Sequence, residues 1–241
     1  LNLYIMKNTV LHKANTRGHA DHGWLNAHHT FSFASYYDPN RLQFGVLRVL
    51  NDDIVAPGMG FGTHPHDNME IITIPLEGDL AHKDSMGNTE IIKFGDVQVM
   101  SAGTGIQHSE FNPNPDKRTN LLQIWVFPKT RNVEPRYQQI SLDVTDRHNK
   151  LQQVLSPNAD DAGVWIHQDA WFHMGNFDQG ATFEYNRKKA DNGLYVFVIK
   201  GNVTVDGQAL EQRDGLAITD FEKVNFEATS DTEILLMEVT M

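Results

Sequence analysis

The 241-residue chain contains no cysteine. That absence excludes disulfides, zinc–thiolate sites, iron–sulfur clusters and a cysteine nucleophile. It suits a reducing compartment, and we expect a cytoplasmic protein. No apolar run approaches the roughly 18 residues that a membrane-spanning helix needs, so no membrane association is expected. The start, LNLYIMKNTV, lacks the order of a signal peptide, and Met6 is the expected native start.

Positive charge is also scarce, because 20 Lys and Arg stand against 31 Asp and Glu, for a net charge of -11. Such a chain repels a phosphate backbone, and no Lys/Arg-rich stripe offsets the repulsion. We therefore expect no direct contact with nucleic acid. Histidine is abundant instead: the chain has 12 in all, and five of them fall within residues 12–29.

No stretch shows a long helical stripe of apolar residues. Short runs rich in β-branched and aromatic residues recur instead, and Gly, Asn, Asp and Pro separate them. They lie at 44–58, 69–78, 89–103 and 120–128, and again at 193–207, 215–220, 223–228 and 232–239. Many short strands at this spacing predict an all-β sandwich or barrel.

The two sets of strands also resemble each other. From Glu77 and from Lys200 the chain reads glycine, strand, small turn, short strand, glycine and apolar run. This weak internal duplication predicts two similar β-barrels in tandem. We expect domains at 1–135 and 136–241, with residues 136–163 serving as linker and crossover strands at the start of the second.

Two histidines, His64 and His66, stand one residue apart after the glycine-rich segment PGMGFG. On a strand, residues i and i+2 share a face, so both imidazoles can reach one ion. A single pair of this kind can also arise by chance. However, His108 and Glu110 repeat the spacing after SAGTG. On neighbouring strands the two pairs would supply three imidazoles and one carboxylate to a divalent metal, with room for water or substrate.

These stretches resemble the two motifs of the cupins. Gly58 is followed by five residues and then His64-Pro65-His66, and Gly95 by five residues and then Ser101. The forms GTHPHDNMEI and MSAGTGIQHSE, with KANTRGHADHGWLNAHHTFSFASYYDP near the start, resemble the pirin family of bicupins over nearly the whole chain. The resemblance implies two tandem cupin (jelly-roll type) β-barrels, with the metal site in the N-terminal barrel.

The choice of carboxylate follows from a departure within the first motif. In ordinary cupins the ligand glutamate lies seven residues before the closing glycine, here Gly78, and that position holds Ile71. Glu70 is one residue away and would face the opposite side of a strand. The pirin pattern takes its carboxylate from the second motif. The resemblance thus implies the ligands His64, His66, His108 and Glu110, with Glu70 in a hydrogen bond or salt bridge beside them.

Three nitrogens and one oxygen suit Fe(II), Mn, Co, Ni, Cu or Zn, and the spacing does not choose among them. Four protein ligands leave two positions of an octahedral ion open, which favours redox or oxygen chemistry over a closed structural zinc site. The family resemblance implies a single divalent ion, Fe(II). The second half of the chain offers an internal comparison. His64 and His66 precede Gly78 by the same intervals by which Arg187 and Lys189 precede Gly201. Because cationic side chains repel a metal ion, we expect no metal in the C-terminal barrel.

The resemblance leaves more than one function open. Pirin-like proteins are similar to flavonol oxygenases, which implies a metal-dependent dioxygenase that opens the ring of a flavonol such as quercetin with dioxygen. Glu110 would act as the catalytic base toward the 3-hydroxyl, beside a Lewis-acidic metal. The eukaryotic pirins imply the alternative, a non-enzymatic metal-bound redox sensor or regulator that acts through a protein partner. A third hypothesis is an oxygenase whose native substrate is another small enol or aromatic.

Several further residues are assigned by context alone. We interpret the N-terminal histidine cluster as a polar network rather than a second metal site. It consists of His19, His22, His28 and His29. Apolar residues expected around the ligands, mostly as core and partly as pocket wall, are Phe31, Phe33, Phe44, Met59, Phe61, Phe111 and Trp125. Possible hydrogen-bond partners of the ligands are Gln107 and Gln123. Histidines interpreted as surface or satisfied structural residues are His12, His82, His148, His167 and His173.

Overall fold

A computed structural model of the protein describes residues 7–241, and Met6 lies outside the described residues. Nearly all regular structure in this part of the chain is β, and its only helical elements are two 3₁₀ turns, Ala14–Thr16 and Val144–Arg147. The all-β prediction is confirmed. No helix within residues 7–241 is both long and apolar enough to cross a bilayer.

The strands are numbered in chain order. The first twelve are β1 Asn8–His12, β2 Gly18–Asp21, β3 Leu25–His29, β4 Leu47–Val55, β5 Gly60–His66, β6 Glu70–Glu77, β7 Leu80–Asp84, β8 Thr89–Ile92, β9 Asp96–Ser101, β10 Ile106–Phe111, β11 Thr119–Val126 and β12 Arg136–Ser141. The others are β13 Leu151–Ser156, β14 Val164–Trp165, β15 Trp171–Phe177, β16 Thr182–Asn186, β17 Asn192–Lys200, β18 Val203–Val205, β19 Gln208–Leu210, β20 Gly215–Thr219, β21 Lys223–Ala228 and β22 Thr232–Thr240.

The described chain divides into two compact units. The N-terminal unit comprises Gly18–Leu142 and Pro157–Gln168, and the C-terminal unit comprises residues 7–17, Asp143–Ser156 and Asp169–Met241. These bounds differ from a single cut after residue 135. The reason is strand pairing, since β12 pairs with β9 in the N-terminal unit and β1 pairs with β20 in the C-terminal unit.

The N-terminal unit consists of two sheets, ordered β12-β9-β6-β11-β4-β3-β2 and β5-β10-β7-β8. The central strands β6 and β11 read as nearly continuous apolar runs, EIITIPLE and TNLLQIWV, because both of their faces are covered. A buried cluster joins the sheets, with Leu25, Val55 and Leu121 from the larger sheet and Leu80 and Ile92 from the smaller. By contrast, β5 is an edge strand, GFGTHPH, where a proline is tolerated.

The C-terminal unit repeats this arrangement. Its larger sheet contains the neighbours β1-β20-β17-β22-β15-β13, and its smaller sheet has the order β16-β21-β18-β19. The hairpin β7–β8 leads into β9 of the larger N-terminal sheet, and the hairpin β18–β19 leads into β20 in the same way. The predicted duplication into two cupin-type β units is confirmed. One large apolar cluster fills the C-terminal unit, including Tyr185, Phe221 and Phe226.

The turn between β9 and β10 leads into the second histidine motif and depends on Gly103. Its φ of +48° is in the left-handed region, and a Cβ there would lie 2.0 Å from the carbonyl oxygen of Val133. We expect Gly103→Ala to lower the free energy of unfolding by about 1–3 kcal/mol or more, from strain and overpacking together. The change is measured by thermal unfolding, followed through a signal that reports on the N-terminal unit.

Gly62→Ala is the matched control for this substitution. A Cβ at Gly62 meets nothing within 4 Å, and its φ is outside the left-handed region. Its stability should therefore stay within about 0.5 kcal/mol of the parent protein. Equal stability of the two variants would contradict a steric role for Gly103.

Candidate metal centre

The pairing of β5 with β10 brings the predicted imidazoles together. His64 lies directly opposite His108, and Pro65 and His66 lie opposite Gln107 and Ile106. Alternate residues of a strand share a face, so His66 joins His64 on the same side. A bulge after His108 shifts the register before Glu110.

The three imidazoles form one compact group. One ring nitrogen from each of His64, His66 and His108 lies within 4.8 Å of the others. The Nε2 atoms of His64 and His108 are 3.0 Å apart. Nδ1 of His64 donates a hydrogen bond to the carbonyl oxygen of Gly62 at 2.8 Å, so in the neutral ring its Nε2 carries a lone pair.

The protonation states of this group suit a metal ion. Burial and the neighbouring His64 lower the pKa of His66 to about 4, and burial with the surrounding histidines lowers the pKa of His108 to about 2. Both rings are therefore neutral at neutral pH. Nε2 of His66 is buried and has no hydrogen-bond partner within residues 7–241. A divalent ion fits this donor set, because imidazole nitrogens are its ordinary ligands and a buried nitrogen such as Nε2 of His66 otherwise has nothing to bond.

Glu110 lies next to the three imidazoles, in a second group of potential ligands that shares His108 with them. Its carboxylate forms a second group of potential ligand atoms with His108 and His82, again within 4.8 Å of one another. The Nε2 amide of Gln123 donates to its two oxygens at 3.0 and 3.2 Å, and the hydroxyl of Thr73 donates to one of them at 3.4 Å. Burial raises the pKa of Glu110 despite these bonds. Of the four predicted ligands, three thus form one group, and the fourth shares His108 with it.

The interpretation of His82 as a surface or satisfied structural residue is wrong. The side chain is buried opposite Glu110, and its Nδ1 has no hydrogen-bond partner in the described chain. Its Nε2 lies 3.2 Å from Oδ2 of Asp84. Burial raises the pKa of Asp84, but hydrogen bonds from Asn88 and His82 outweigh it and hold that pKa below its ordinary value. Ionised Asp84 accepts a hydrogen bond from Nε2–H of His82, so Nδ1 of that ring is a further candidate ligand atom beside His108.

Glu70 is hydrogen bonded elsewhere. Its carboxylate accepts a 2.6 Å bond from the hydroxyl of Ser101, and Arg136 also donates to that hydroxyl. Burial raises the pKa of Glu70 to about 7, and the bond from Ser101 and the charge of Arg136 oppose the shift. Its neighbour Ile71 lines the cavity beside the histidines, whereas Glu70 belongs to neither ligand group. This placement is the one expected from its position relative to Gly78.

A cavity of about 240 Å³ opens beside the imidazoles, between the two sheets of the N-terminal unit. Its wall is mostly apolar, and Trp125 contacts His66 with ring centroids 4.9 Å apart. The lining residues are Phe33, Asn51, Asp53, Phe61, His64, His66, Ile71, His108, Glu110, Gln123 and Trp125.

The residues expected around the ligands divide into three groups. Those that line the cavity are Phe33, Phe61, Trp125 and Gln123. Those buried in the core are Phe31 and Phe44. Those that are exposed are Met59, Gln107 and Phe111.

Two polar cavity residues, Asn51 and Asp53, were not predicted. They lie two apart on β4, within an apolar strand, and neither belongs to a recognisable motif. Oδ1 of Asp53 is buried without a hydrogen-bond partner in the described chain. Burial, then the charges of Asp52 and Glu110, raise the pKa of Asp53 to about 8. The alternation of LNDDIV is the only sequence signal, and it does not reveal which aspartate faces inward.

The N-terminal histidines do not form a second ligand group within residues 7–241. His19 and His28 are paired across β2 and β3 and stack at 4.6 Å, and His22 is exposed. His29 faces inward, with its Nδ1 3.0 Å from Oδ1 of Asn51. These contacts join neighbouring strands of the larger sheet, and the interpretation of the four histidines as a polar network stays a prediction.

Counting from Gly201 misplaces the second-half equivalents of the histidine pair. The strand β16 ends at Asn186, so Arg187 and Lys189 lie beyond it. The apolar core of the C-terminal unit is in contact instead with Phe183 and Tyr185 of this strand. The aromatic side chains occupy the interior there, and both potential ligand groups of the described residues lie in the N-terminal unit.

The two cupin-type units define the protein as a bicupin, and the histidine-lined cavity in one of them is a candidate metal centre. A family model described as Pirin matches residues 10–126, and one described as the quercetinase C-terminal cupin domain matches residues 153–239. The quercetin 2,3-dioxygenase of Escherichia coli K12 is 47% identical over 95% of this chain and 97% of its own. The chain belongs to the pirin family.

Further relatives agree with this assignment. A pirin-like protein of Caulobacter vibrioides is 43% identical over 92% of this chain and 95% of its own. The crystal structure of the bacterial pirin YhhW from Escherichia coli in complex with nickel(II) is 45% identical. It covers 97% of this chain and 99% of its own, with a TM-score of 0.92.

The two overlapping ligand groups can be distinguished by metal content. With the ligands His64, His66, His108 and Glu110, we expect His64→Ala and Glu110→Ala to lower bound metal at least tenfold, because each removes a direct ligand. Elemental analysis of protein purified and then dialysed against a weak chelator measures the loss.

Glu70→Ala and His82→Ala are the controls, because neither side chain belongs to the predicted set. Both variants should retain metal at close to the parent stoichiometry. If His82→Ala strips the metal while Glu110→Ala retains it, His82 takes the place of Glu110 as the fourth ligand.

Proposed function

We propose that this protein is a metal-dependent dioxygenase of the quercetin 2,3-dioxygenase type, which opens the central ring of a flavonol. The observation that carries the proposal is a group of three imidazoles, two of them held neutral by lowered pKa values, at the wall of an apolar cavity of about 240 Å³. The quercetin 2,3-dioxygenase of Escherichia coli, at 47% identity, supports the same activity. The reaction converts flavonol and dioxygen into carbon monoxide and a depside.

We further propose that His64, His66, His108 and Glu110 hold one divalent ion and that this ion is Fe(II). When bound, such an ion supplies Lewis acidity toward the 3-hydroxyl and the neighbouring carbonyl of the substrate. The nickel(II) complex of the related YhhW supports a divalent ion but not a particular one. Mn, Co, Cu and Zn remain competitors for the same donors.

Glu110 is the proposed base for the 3-hydroxyl proton. Burial raises its pKa, so its carboxylate holds a proton more readily than an exposed one would. The amide of Gln123 contacts both carboxylate oxygens and the hydroxyl of Thr73 contacts one, so these two residues fix the orientation of the carboxylate. Proton transfer therefore needs no rearrangement of the carboxylate.

The apolar wall has its own part in the proposed reaction. Phe33, Phe61, Ile71 and Trp125 surround the imidazoles, and they exclude water from the reacting oxygens. Phe33 meets Trp125 edge-to-face at 5.4 Å, which fixes both rings. Small-molecule pockets commonly start at roughly 300 Å³, so a cavity of about 240 Å³ suits the reacting rings of a flavonol more than the whole molecule.

Oxygen uptake tests the proposal. Metal-free protein is loaded in turn with Fe(II), Mn(II), Co(II), Ni(II), Cu(II) and Zn(II), and consumption of dioxygen and flavonol is followed together with carbon monoxide release. We expect equimolar consumption with at least one metal. Glu110→Gln should lower kcat per bound metal by about 10²- to 10⁴-fold, the usual contribution of a positioned base.

Glu70→Gln is the control in the same assay, and its kcat should match the parent because its side chain is bonded to Ser101 away from the cavity. Absence of turnover with every metal tried would overturn the dioxygenase proposal. The hypothesis of a metal-bound sensor acting through a protein partner would then be the one to pursue.

A further inference from the structure

The cavity has polar groups on two different walls. His64, His66, His108 and Glu110 project from β5 and β10 of the smaller sheet, whereas Asn51 and Asp53 lie on β4 of the larger sheet. The lining between them is dominated by aromatic and aliphatic side chains. Gln123 and Thr73 of the larger sheet orient Glu110 in the proposed metal chemistry, whereas Asn51 and Asp53 have no part in it.

Asp53 is buried, with 4% of its surface exposed, and Oδ1 makes no hydrogen bond within residues 7–241. The adjacent Asp52 shows how this strand satisfies a structural carboxylate: its Oδ1 accepts a 2.9 Å bond from the amide of Asn120. The same amide donates to the backbone oxygen of Asp53 at 3.0 Å but not to its side chain. A buried carboxyl oxygen without a partner is costly in a folded protein, so the place of Oδ1 in a cavity wall points to a partner from outside the chain.

Asn51 lies two residues away on the same face of β4. Its Oδ1 is engaged by Nδ1 of His29 at 3.0 Å, which orients the side chain and leaves the amide N–H₂ group for the cavity. Together the pair presents an amide donor and a carboxyl acceptor within one strand repeat. A hydroxyl group matches this combination, since it donates one hydrogen bond and accepts others.

We propose that Asn51 and Asp53 form a second polar subsite, which binds a ring hydroxyl of the aromatic substrate other than the oxygens held at the metal centre. The hydroxyl donates to the carboxyl of Asp53 and accepts from the amide of Asn51. The inference rests on the proposed function and refines it, because it makes a polyhydroxylated aromatic the preferred substrate class. A raised pKa for Asp53 is consistent with this, since a neutral carboxyl pairs with a hydroxyl as donor or acceptor.

If the subsite exists, the binding energies contributed by the Asp53 side chain and by one hydroxyl of the ligand depend on each other. Binding is measured without dioxygen, by titrating metal-loaded protein with flavonols that each lack a single hydroxyl other than the 3-hydroxyl. For the parent protein, we expect loss of one particular hydroxyl to weaken Kd roughly ten- to a hundredfold, as for a hydrogen bond to a buried acidic group. In Asp53→Leu the same analogue and its parent flavonol should bind equally, which completes a double-mutant cycle.

Asp52→Leu is the matched control, because it removes the neighbouring carboxylate and its bond to Asn120. It should keep the discrimination between ligands while lowering Tm. Asp53→Leu should not lower Tm, since it removes a buried carboxyl whose Oδ1 has no hydrogen-bond partner within residues 7–241. If Asp53→Leu lowers Tm as much as Asp52→Leu and leaves the discrimination intact, Asp53 is structural and the subsite is overturned.

The two proposals fail in different ways. If the parent protein binds no flavonol, the proposed function fails and the subsite fails with it. If it binds flavonols but no hydroxyl is coupled to Asp53, only the subsite is overturned. Should Asp53→Leu not fold, Asp53→Ala and Asn51→Leu replace it in the same cycle, and both are expected to abolish the discrimination at the same hydroxyl.

Discussion

The pairing of the edge strand β5 with β10 is the constraint on which the candidate centre depends. It sets His64 opposite His108 and keeps His66 on the same face. A slip of one residue would turn the imidazoles of β5 to the other face. Pro65 stands between the two histidines without a backbone N–H to donate, and the edge position of β5 makes this possible.

Burial then sets the chemistry of the groups that this pairing assembles. It lowers the pKa values of His66 and His108, and it raises those of Glu110 and Asp53. Both directions follow from one cause, since a low-dielectric cavity disfavours every charged form. The result is neutral nitrogen donors beside carboxylates of raised pKa, which suits both metal ligation and proton transfer.

The two units show how little the fold alone determines about function. Their strand orders correspond, yet the interior of the C-terminal unit is filled by an apolar cluster that includes Tyr185 and Phe226. In the N-terminal unit the corresponding space holds histidines and a cavity. The difference lies in the side chains that face inward from the smaller sheet, so the proposed activity belongs to the site and not to the architecture.

The sequence by itself determined the all-β class, the duplication and the three imidazoles, because strand alternation and the spacing of His64, His66 and His108 are local properties. The tertiary structure decided which other groups join them. His82 reaches Glu110 only through the pairing of β7 with β10. Asp53 enters the cavity only because that face of β4 is turned inward. The unit boundaries likewise depend on hydrogen bonds between strands far apart in the chain, and no local pattern encodes such pairings.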